Sequence, residues 1–253
     1  MIPTVKRQFL SFIAFAAITF FAAYAEDVTY RLKIENFTEL TVVDGVNVDC
    51  YCRPDSAGWA VFSSDPEYAS CITFNNNASR MTVQTTADER PISGMPRITL
   101  YCTGLTKIEN SGDSLLRVYC ETVHAESLKA VQIGNGRMEI KNISSGNLDA
   151  GVAAGKGSLS IEGKTDKAKI RNVGTGFIDA SGLEVGEVSC FIFGTGDIAC
   201  TPSEKLKVYG AGSGRVLYTE EPKKVTNRSI GVKTKLDREE SETTKNDVLT
   251  ATK

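Results

Sequence analysis

The chain has 253 residues, and its 29 Lys and Arg residues against 31 Asp and Glu residues give a formal net charge of −2 at pH 7. This balance does not indicate binding to nucleic acid or to an anionic membrane through bulk charge. After the first 25 residues, no stretch is apolar for long enough to span a bilayer.

The N-terminal stretch is typical of a secretory signal peptide. Two basic residues precede an apolar run over 9–23, and small residues lead to a cut between Ala25 and Glu26. A membrane anchor is the alternative, but the run is shorter than the roughly 20 residues that a bilayer requires. We therefore predict a signal peptide over 1–25, no transmembrane anchor after cleavage, and an exported protein that is periplasmic or at the cell surface.

Short alternating apolar runs separated by turn residues occur in the region 26–109, for example at 46–48 and 72–74. Alternation with period two is typical of strands. We predict an all-β N-terminal part that acts as a cap on the repeats after it, because an open end would expose unpaired strand edges.

Five Gly-x-Gly triplets follow within 110–222, and their first glycines are separated by 21, 19, 20 and 18 residues. A regular step of about twenty residues indicates a repeated structural unit. Glycine suits a tight corner because it reaches positive φ without a side-chain clash. The predicted turn glycines are Gly134, Gly136, Gly155, Gly157, Gly174, Gly176, Gly194, Gly196, Gly212 and Gly214.

Side chains four and six residues after each first glycine are apolar or nearly so, and the residues between them are mostly polar, as in Ile178, Asp179 and Ala180. Period two indicates strands, whereas a helical repeat would need spacings of three and four and few glycines. A β-sandwich would place strands every 8–12 residues with varied turns. We predict a parallel β-solenoid whose apolar flanks point inward, followed by a polar, aperiodic C-terminal tail over 223–253.

All seven cysteines follow the predicted cleavage site, and their odd number leaves at least one without an intramolecular partner. Cys190 and Cys200 each lie four residues outside one glycine corner, which makes them a candidate disulfide. Alternatively, Cys200 simply fills an apolar column. Cys50 and Cys52 lie at strand spacing and would each need a different partner. With one histidine and no second close cysteine pair, no zinc site is predicted.

One pair of acidic residues, Glu139 and Asp179, lies two coils apart on one predicted face. Two steps of about 4.8 Å make the pair marginal for an inverting hydrolase, which needs carboxylates roughly 6.5–9.5 Å apart. No third group supports the pair, no acidic cluster suits calcium, and no Gly-x-Ser-x-Gly elbow surrounds a serine. We therefore predict no catalytic residues, no metal site and no cofactor.

Three features of the chain resemble the auto-transporter adhesin head GIN domain family of exported Bacteroidetes-type proteins. They are Phe37 with the segment 42–48, the Gly-x-Gly corners with their alternating apolar residues, and the closing segment 214–218 before Pro222. The resemblance covers about residues 35–222 and implies a right-handed parallel β-helix. Only the triplet at 194–196 keeps the aspartate that usually follows the family's corner.

A solenoid offers long faces for a polymer or partner protein, and aromatic and arginine side chains are typical anchors. The outward candidates are Arg137, Phe177 and Arg215. We predict a non-catalytic, adhesin-like protein that binds a glycan or a cell-surface protein and no nucleic acid. The alternatives are a pectinase-like β-helix enzyme and a self-associating structural protein of the envelope.

Overall fold

The computed structural model describes residues 27–43, 45–86, 94–120 and 124–236. The described chain is 72% strand with almost no helix and forms a β-solenoid of about six turns, which confirms the predicted all-β fold. The predicted signal peptide, its cleavage site at Ala25 and Glu26, and the tail from residue 237 onward lie outside the described residues.

Seventeen strands, one short α-helix and one 3-10 turn follow one another within these ranges. None of the described helices is of the length and apolarity needed to cross a bilayer. The strands are β1 Val28–Lys33, β2 Glu39–Val43, β3 Val48–Cys52, β4 Trp59–Ser64, β5 Ile72–Asn77, β6 Arg80–Thr85, β7 Ile98–Cys102, β8 Lys107–Ser111, β9 Leu115–Cys120, β10 His124–Ile133, β11 Arg137–Ala154, β12 Ser158–Gly174, β13 Phe177–Gly194, β14 Asp197–Gly212, β15 Arg215–Tyr218, β16 Lys224–Ile230 and β17 Lys233–Leu236; the helix α1 is Pro66–Ala69 and the 3-10 turn is Pro54–Ser56.

Successive coils pair in parallel, with each residue beside its counterpart in the next repeat. Leu159 in β12, for example, lies between Met138 in β11 and Ile178 in β13. All three side chains are buried. The period-two apolar columns therefore form a continuous core along the axis, and each coil is stabilised by its neighbours.

The long strands change direction within each coil while keeping their apolar side chains inward. Buried positions in β11 step by two, except for steps of three from Ile140 to Ile143 and from Ser145 to Leu148. In a strand, side chains alternate in direction, so a step of three keeps the next side chain inward only if the chain turns there. A full coil thus has three straight segments.

The outward side chains of these segments form three faces. The front face belongs to the segment before the glycine corner, such as 167–173 in β12. The second face belongs to the segment after the corner, such as 177–181 in β13, and the third face to the remaining segment, such as 183–186.

The glycines of the triplets lie in two columns at the corner. A Cβ atom on Gly174 would lie 2.9 Å from the carbonyl oxygen of Gly155, and a Cβ atom on Gly157 would lie 2.9 Å from that of Gly136. The first glycines also have positive φ, as at Gly194 with +131°. Glycine is therefore required twice, for the backbone conformation and for the close approach of neighbouring coils.

Buried amide side chains line the inside of this corner, a feature the sequence analysis does not anticipate. Asn172 donates through Nδ2 to the carbonyl oxygen of Gly176 at 2.8 Å. Asn110 donates through Nδ2 to the carbonyl of Ser114 and to Oε1 of Gln132, both at 2.9 Å. The carbonyl of Ser114 also accepts the backbone N–H of Arg137 at 3.0 Å. The amides therefore add hydrogen bonds at the corner, where polar groups would be costly to bury alone.

The stack begins well before residue 110, because the N-terminal part contributes coils of its own. Strands β2 and β3 pair in parallel with β8 and β9 on one side and with β6 and β7 on the other. Antiparallel strands lie outside them: β5 pairs with β6, β4 with β7, and β1 with β4. The predicted boundary at 109/110 therefore does not mark the start of the solenoid.

The stack also continues beyond the predicted boundary at 222/223. Strand β16 pairs in parallel with β14, and β17 pairs with β15. The corner between β16 and β17 has Gly231 at φ +82°, beneath Gly212, but Val232 replaces the second glycine of the triplet and is buried. Because the second glycine is absent and the segment is polar, the repeat pattern in the sequence does not reveal this coil.

All seven cysteines are buried free thiols. Cys190 and Cys200 are hydrogen-bonded neighbours across the core, and this contact raises the pKa of Cys190 well above its usual range. The candidate disulfide between them is not formed in the structure, where both thiols fill inward apolar positions as small hydrophobic groups.

Four of the thiols form one buried cluster in the N-terminal coils. Sγ of Cys52 lies 3.2 Å from Sγ of Cys120 and 3.9 Å from that of Cys102, which lies 3.9 Å from Sγ of Cys50. The hydrogen bond to Cys102, together with burial, raises the pKa of Cys52 to about 12. The cluster therefore consists of protonated thiols at neutral pH.

Replacing Gly194 by alanine should destabilise the stack, because its Cβ would overlap the carbonyl oxygen of Gly174 at a positive φ. We expect the free energy of unfolding to fall by about 2 kcal/mol or more, measured by urea denaturation. Gly186→Ala is the control, since its Cβ would lie 3.3 Å from the nearest atom, and should cost less than about 1 kcal/mol. Equal losses would contradict the close-approach explanation.

The four clustered thiols should resist alkylation in the folded protein, because the thiolate is the reactive form and the pKa of Cys52 is raised to about 12. At pH 8, iodoacetamide should modify them only after denaturation, as measured by mass spectrometry. Rapid labelling of the native protein at pH 8 would contradict this account. Resistance after denaturation without reductant would show that the thiols are oxidised.

Candidate functional site

The three predicted binding residues lie in one column on the second face, directly after the glycine corner. Phe177 lies between Ser158 on one coil and Asp197 on the next. Arg137 is beyond Ser158, and Arg215 follows Asp197, to which it is bonded. The structure therefore aligns the three side chains but spaces them two coils apart, so that they do not converge on one pocket.

Both arginines of this column are held by neighbouring carboxylates. Nη2 of Arg215 lies 2.5 Å from Oδ2 of Asp197, and the backbone N–H of Arg215 donates to Oδ1 at 2.8 Å. Nε of Arg137 lies 2.8 Å from Oε1 of Glu139. Phe177 is 43% exposed. Because the arginine charges are locally paired, this column is a weaker anchor for a ligand than the sequence suggests.

The apolar residues directly before the triplets point outward. The prediction that the apolar residues flanking the corners point inward is wrong at these positions. Val173 is 42% exposed and Phe193 is 52% exposed, and the two are neighbours in register. The second glycine of each triplet takes the inward position, so the residues on either side of the corner face solvent. Period two gives the alternation but does not say which residue at a corner is inside.

A groove of about 500 Å³ lies on the front face across β10 to β14. Its aromatic wall is Phe191, whose ring stacks on Tyr209 with centroids 5.1 Å apart. Nζ of Lys169 lies 5.1 Å from the Phe191 ring centroid, on the side of the preceding coil. The polar and charged groups of the lining are Ser127, Asn147, Asp149, Lys167, Lys169, Glu187, Ser189 and Lys207.

The aromatic pair belongs to a column that the sequence analysis missed. Arg171 lies beside Phe191 on one coil, and Arg228 lies beside Tyr209 on another. Nη2 of Arg171 is 2.5 Å from Oδ1 of Asp149, at the edge of the groove. Each column member stands three residues before the first glycine of its corner. An alignment of the repeats at this position, which lies before the triplets, would therefore have shown the column of aromatic and arginine residues.

A second aromatic column lies on the second face of the N-terminal coils. Tyr51 stacks between Tyr101 and Tyr119, with centroid distances of 5.8 and 4.8 Å, and the guanidinium of Arg53 is 5.3 Å from the Tyr51 ring centroid. None of these tyrosines lines the front-face groove. The column thus offers aromatic surface apart from that groove.

The acidic pair that could support hydrolysis is engaged in local contacts. Glu139 bonds to Arg117 and Arg137 at 3.1 and 2.8 Å, and Oδ1 of Asp179 accepts hydrogen bonds from the backbone and hydroxyl of Ser181. Within the described ranges, no group of three or more His, Cys, Asp or Glu residues is placed to hold a metal ion. The register places both carboxylates in one column of the second face, two coils apart, and each is held by these local contacts.

Comparison with solved structures shows the same fold in proteins from Bacteroides and Parabacteroides. A "putative adhesin" from Bacteroides fragilis NCTC 9343 is similar with a TM-score of 0.72 and 19% identity, over 83% of this chain and 96% of that one. A "putative lipid binding protein" from Parabacteroides distasonis ATCC 8503 is similar with a TM-score of 0.65 and 16% identity, over 84% and 98%. At these identities the similarity establishes the fold alone.

A comparison with curated proteins found no significant match. The model of one family matches residues 36–222, and that family is described as "Putative auto-transporter adhesin, head GIN domain". This match agrees with the resemblance carried by the glycine corners and the opening and closing segments. Since it spans most of the chain, the protein belongs to the auto-transporter adhesin head GIN domain family.

Proposed function

We propose that this protein is an exported, non-catalytic, adhesin-like module that binds a glycan in the front-face groove. The observation that carries the proposal is the groove itself, with the rigid Phe191 and Tyr209 pair beside hydroxyl, amide and charged groups. The description of its family and that of the Bacteroides fragilis neighbour both name an adhesin, which supports attachment as the general role.

The lining of the groove suits a saccharide. A sugar ring presents C–H groups and hydroxyls side by side, so its site needs apolar surface next to donors and acceptors. Phe191 supplies the first, whereas Asn147, Ser189 and Lys169 supply the second. The groove runs across several coils, so successive sugars of a chain would meet equivalent positions about 4.8 Å apart.

The absence of catalysis is part of the proposal and rests on the local contacts of the acidic residues. Glu139 is bonded to two arginines, and Asp149 in the groove is bonded to Arg171. A general acid or base must reach the substrate proton, whereas these carboxylates are held by the guanidinium groups of neighbouring arginines. Binding without turnover is therefore the function that the geometry supports best.

A double substitution, Phe191→Ala with Tyr209→Ala, should weaken glycan binding by about tenfold or more, because central aromatic anchors dominate most interfaces. The measurement is binding of the mature protein to a glycan array, followed by titration of the best ligand. The control is Tyr101→Ala with Tyr119→Ala, which removes two stacked rings from the second face. Equal losses in both variants, or no array ligand at all, would refute the groove as the binding site.

A further inference from the structure

Charge is unevenly distributed over the solenoid, although its net charge is close to zero. Between residues 127 and 230, the outward register positions of the front face hold eight basic side chains against two acidic ones, Asp149 and Glu187. The basic residues are Lys129, Lys167, Lys169, Arg171, Lys205, Lys207, Lys224 and Arg228.

The third face has the opposite character. Its outward acids include Glu126, Asp166, Glu184 and Glu204, and its basic residues Lys164 and Lys223 are each paired with one of these acids. Lys164 is bonded to Glu184 at 2.7 Å. Segregation of this kind creates a local positive potential on the front face that the overall composition conceals.

Several front-face lysines have no ion-pair partner within the described part of the chain. Lys129, Lys205, Lys207 and Lys224 form no salt bridge there, and Lys205 lies in register between Glu187 on one coil and Lys224 on the next. Like charges directly opposite each other destabilise a sheet. An anionic ligand bound across these positions would remove that repulsion.

The aromatic pair favours an anion as well. One face of the Phe191 ring is covered by Tyr209 and the other by the ammonium group of Lys169, so the ring is left to meet a ligand with its edge. The edge of an aromatic ring carries the positive part of its quadrupole. The edge of the Phe191 ring and the ammonium groups of the lysines therefore both present a positive electrostatic potential to the groove.

We propose that the front-face groove selects an acidic polysaccharide, one that bears carboxylate or sulfate groups and lies along the lysine columns. This inference rests on the proposed glycan-binding function and adds the chemical class of the ligand. Lys205, Lys207 and Lys224 bind its anionic groups, and the Phe191 and Tyr209 wall contacts its sugar rings.

A polysaccharide fits this surface better than the other common polyanions. Phe191 is partly buried in the groove, whereas Phe193 at its rim is 52% exposed, so a flat bilayer would meet the rim and miss the aromatic wall. Unpaired bases bind by stacking on open ring faces, and both faces of Phe191 are covered.

The test compares polygalacturonate with fully methyl-esterified polygalacturonate, which has the same backbone without the charges. Isothermal titration with the mature protein should show binding of the acidic polymer only, weakening as salt is raised. Lys205→Glu with Lys207→Glu should reduce affinity by about tenfold or more. The matched control is Lys233→Glu with Lys235→Glu, which makes the same charge change on the second face and should alter affinity less than about twofold.

The outcomes separate the two proposals. Equal binding of the acidic and esterified polymers would overturn the charge selection and leave glycan binding intact. Binding of neither polymer, with no acidic ligand on the glycan array, would overturn both. Tighter binding to phosphatidylglycerol vesicles or to oligothymidylate, lost in the Lys205/Lys207 variant, would overturn the assignment to a polysaccharide. Circular dichroism of each variant checks that it is folded, and Lys205→Gln with Lys207→Gln provides a milder second pair.

Discussion

The close stacking of parallel coils is the contact on which the rest of this protein depends. Backbone hydrogen bonds link each corner to the one beneath it, as when the N–H groups of Gly157 and Ser158 donate to Gly134 and Gly136 at 3.0 Å. Only a residue without a side chain permits that approach. The same contact aligns the inward apolar side chains into one core. It also places every outward side chain one strand spacing from its counterpart on the next coil, so that equivalent outward residues form columns.

Columns explain how an unremarkable composition yields a surface with a defined character. Each coil adds few charges, but the register places Lys167, Lys169, Lys205 and Lys207 around the same groove, while the acids of the third segment collect on another face. The aromatic rings of Phe191 and Tyr209 meet for the same reason. In the proposed function, the capacity to bind arises from the repetition of one position along the coils.

The glycine triplets and the period-two alternation are sufficient to predict the solenoid, because both follow from local backbone geometry and burial. They are insufficient at the corners, where the choice of the second glycine as the inward residue turns Phe193 and Val173 outward. Alternation also cannot reveal the front-face groove, since Phe191 and Tyr209 become neighbours only through the register of two coils.

The coil around Gly231 escapes detection because a buried valine follows that glycine instead of a second turn residue. The N-terminal strands pair with segments 41 and 68 residues away, a separation that no local pattern encodes.

That N-terminal arrangement has a consequence for how the chain acquires its structure. The coil formed by β2 and β3 is made early in the sequence, yet it is sandwiched between a coil made of β6 and β7 and another made of β8 and β9. One of its edges is satisfied only when the chain has reached Cys102, and the other only when it has reached Cys120. Loop closure over such distances is slow. A chain emerging N-terminus first would therefore wait for Cys120 before its first template is complete, after which each later coil can add to a finished edge in the order of its synthesis.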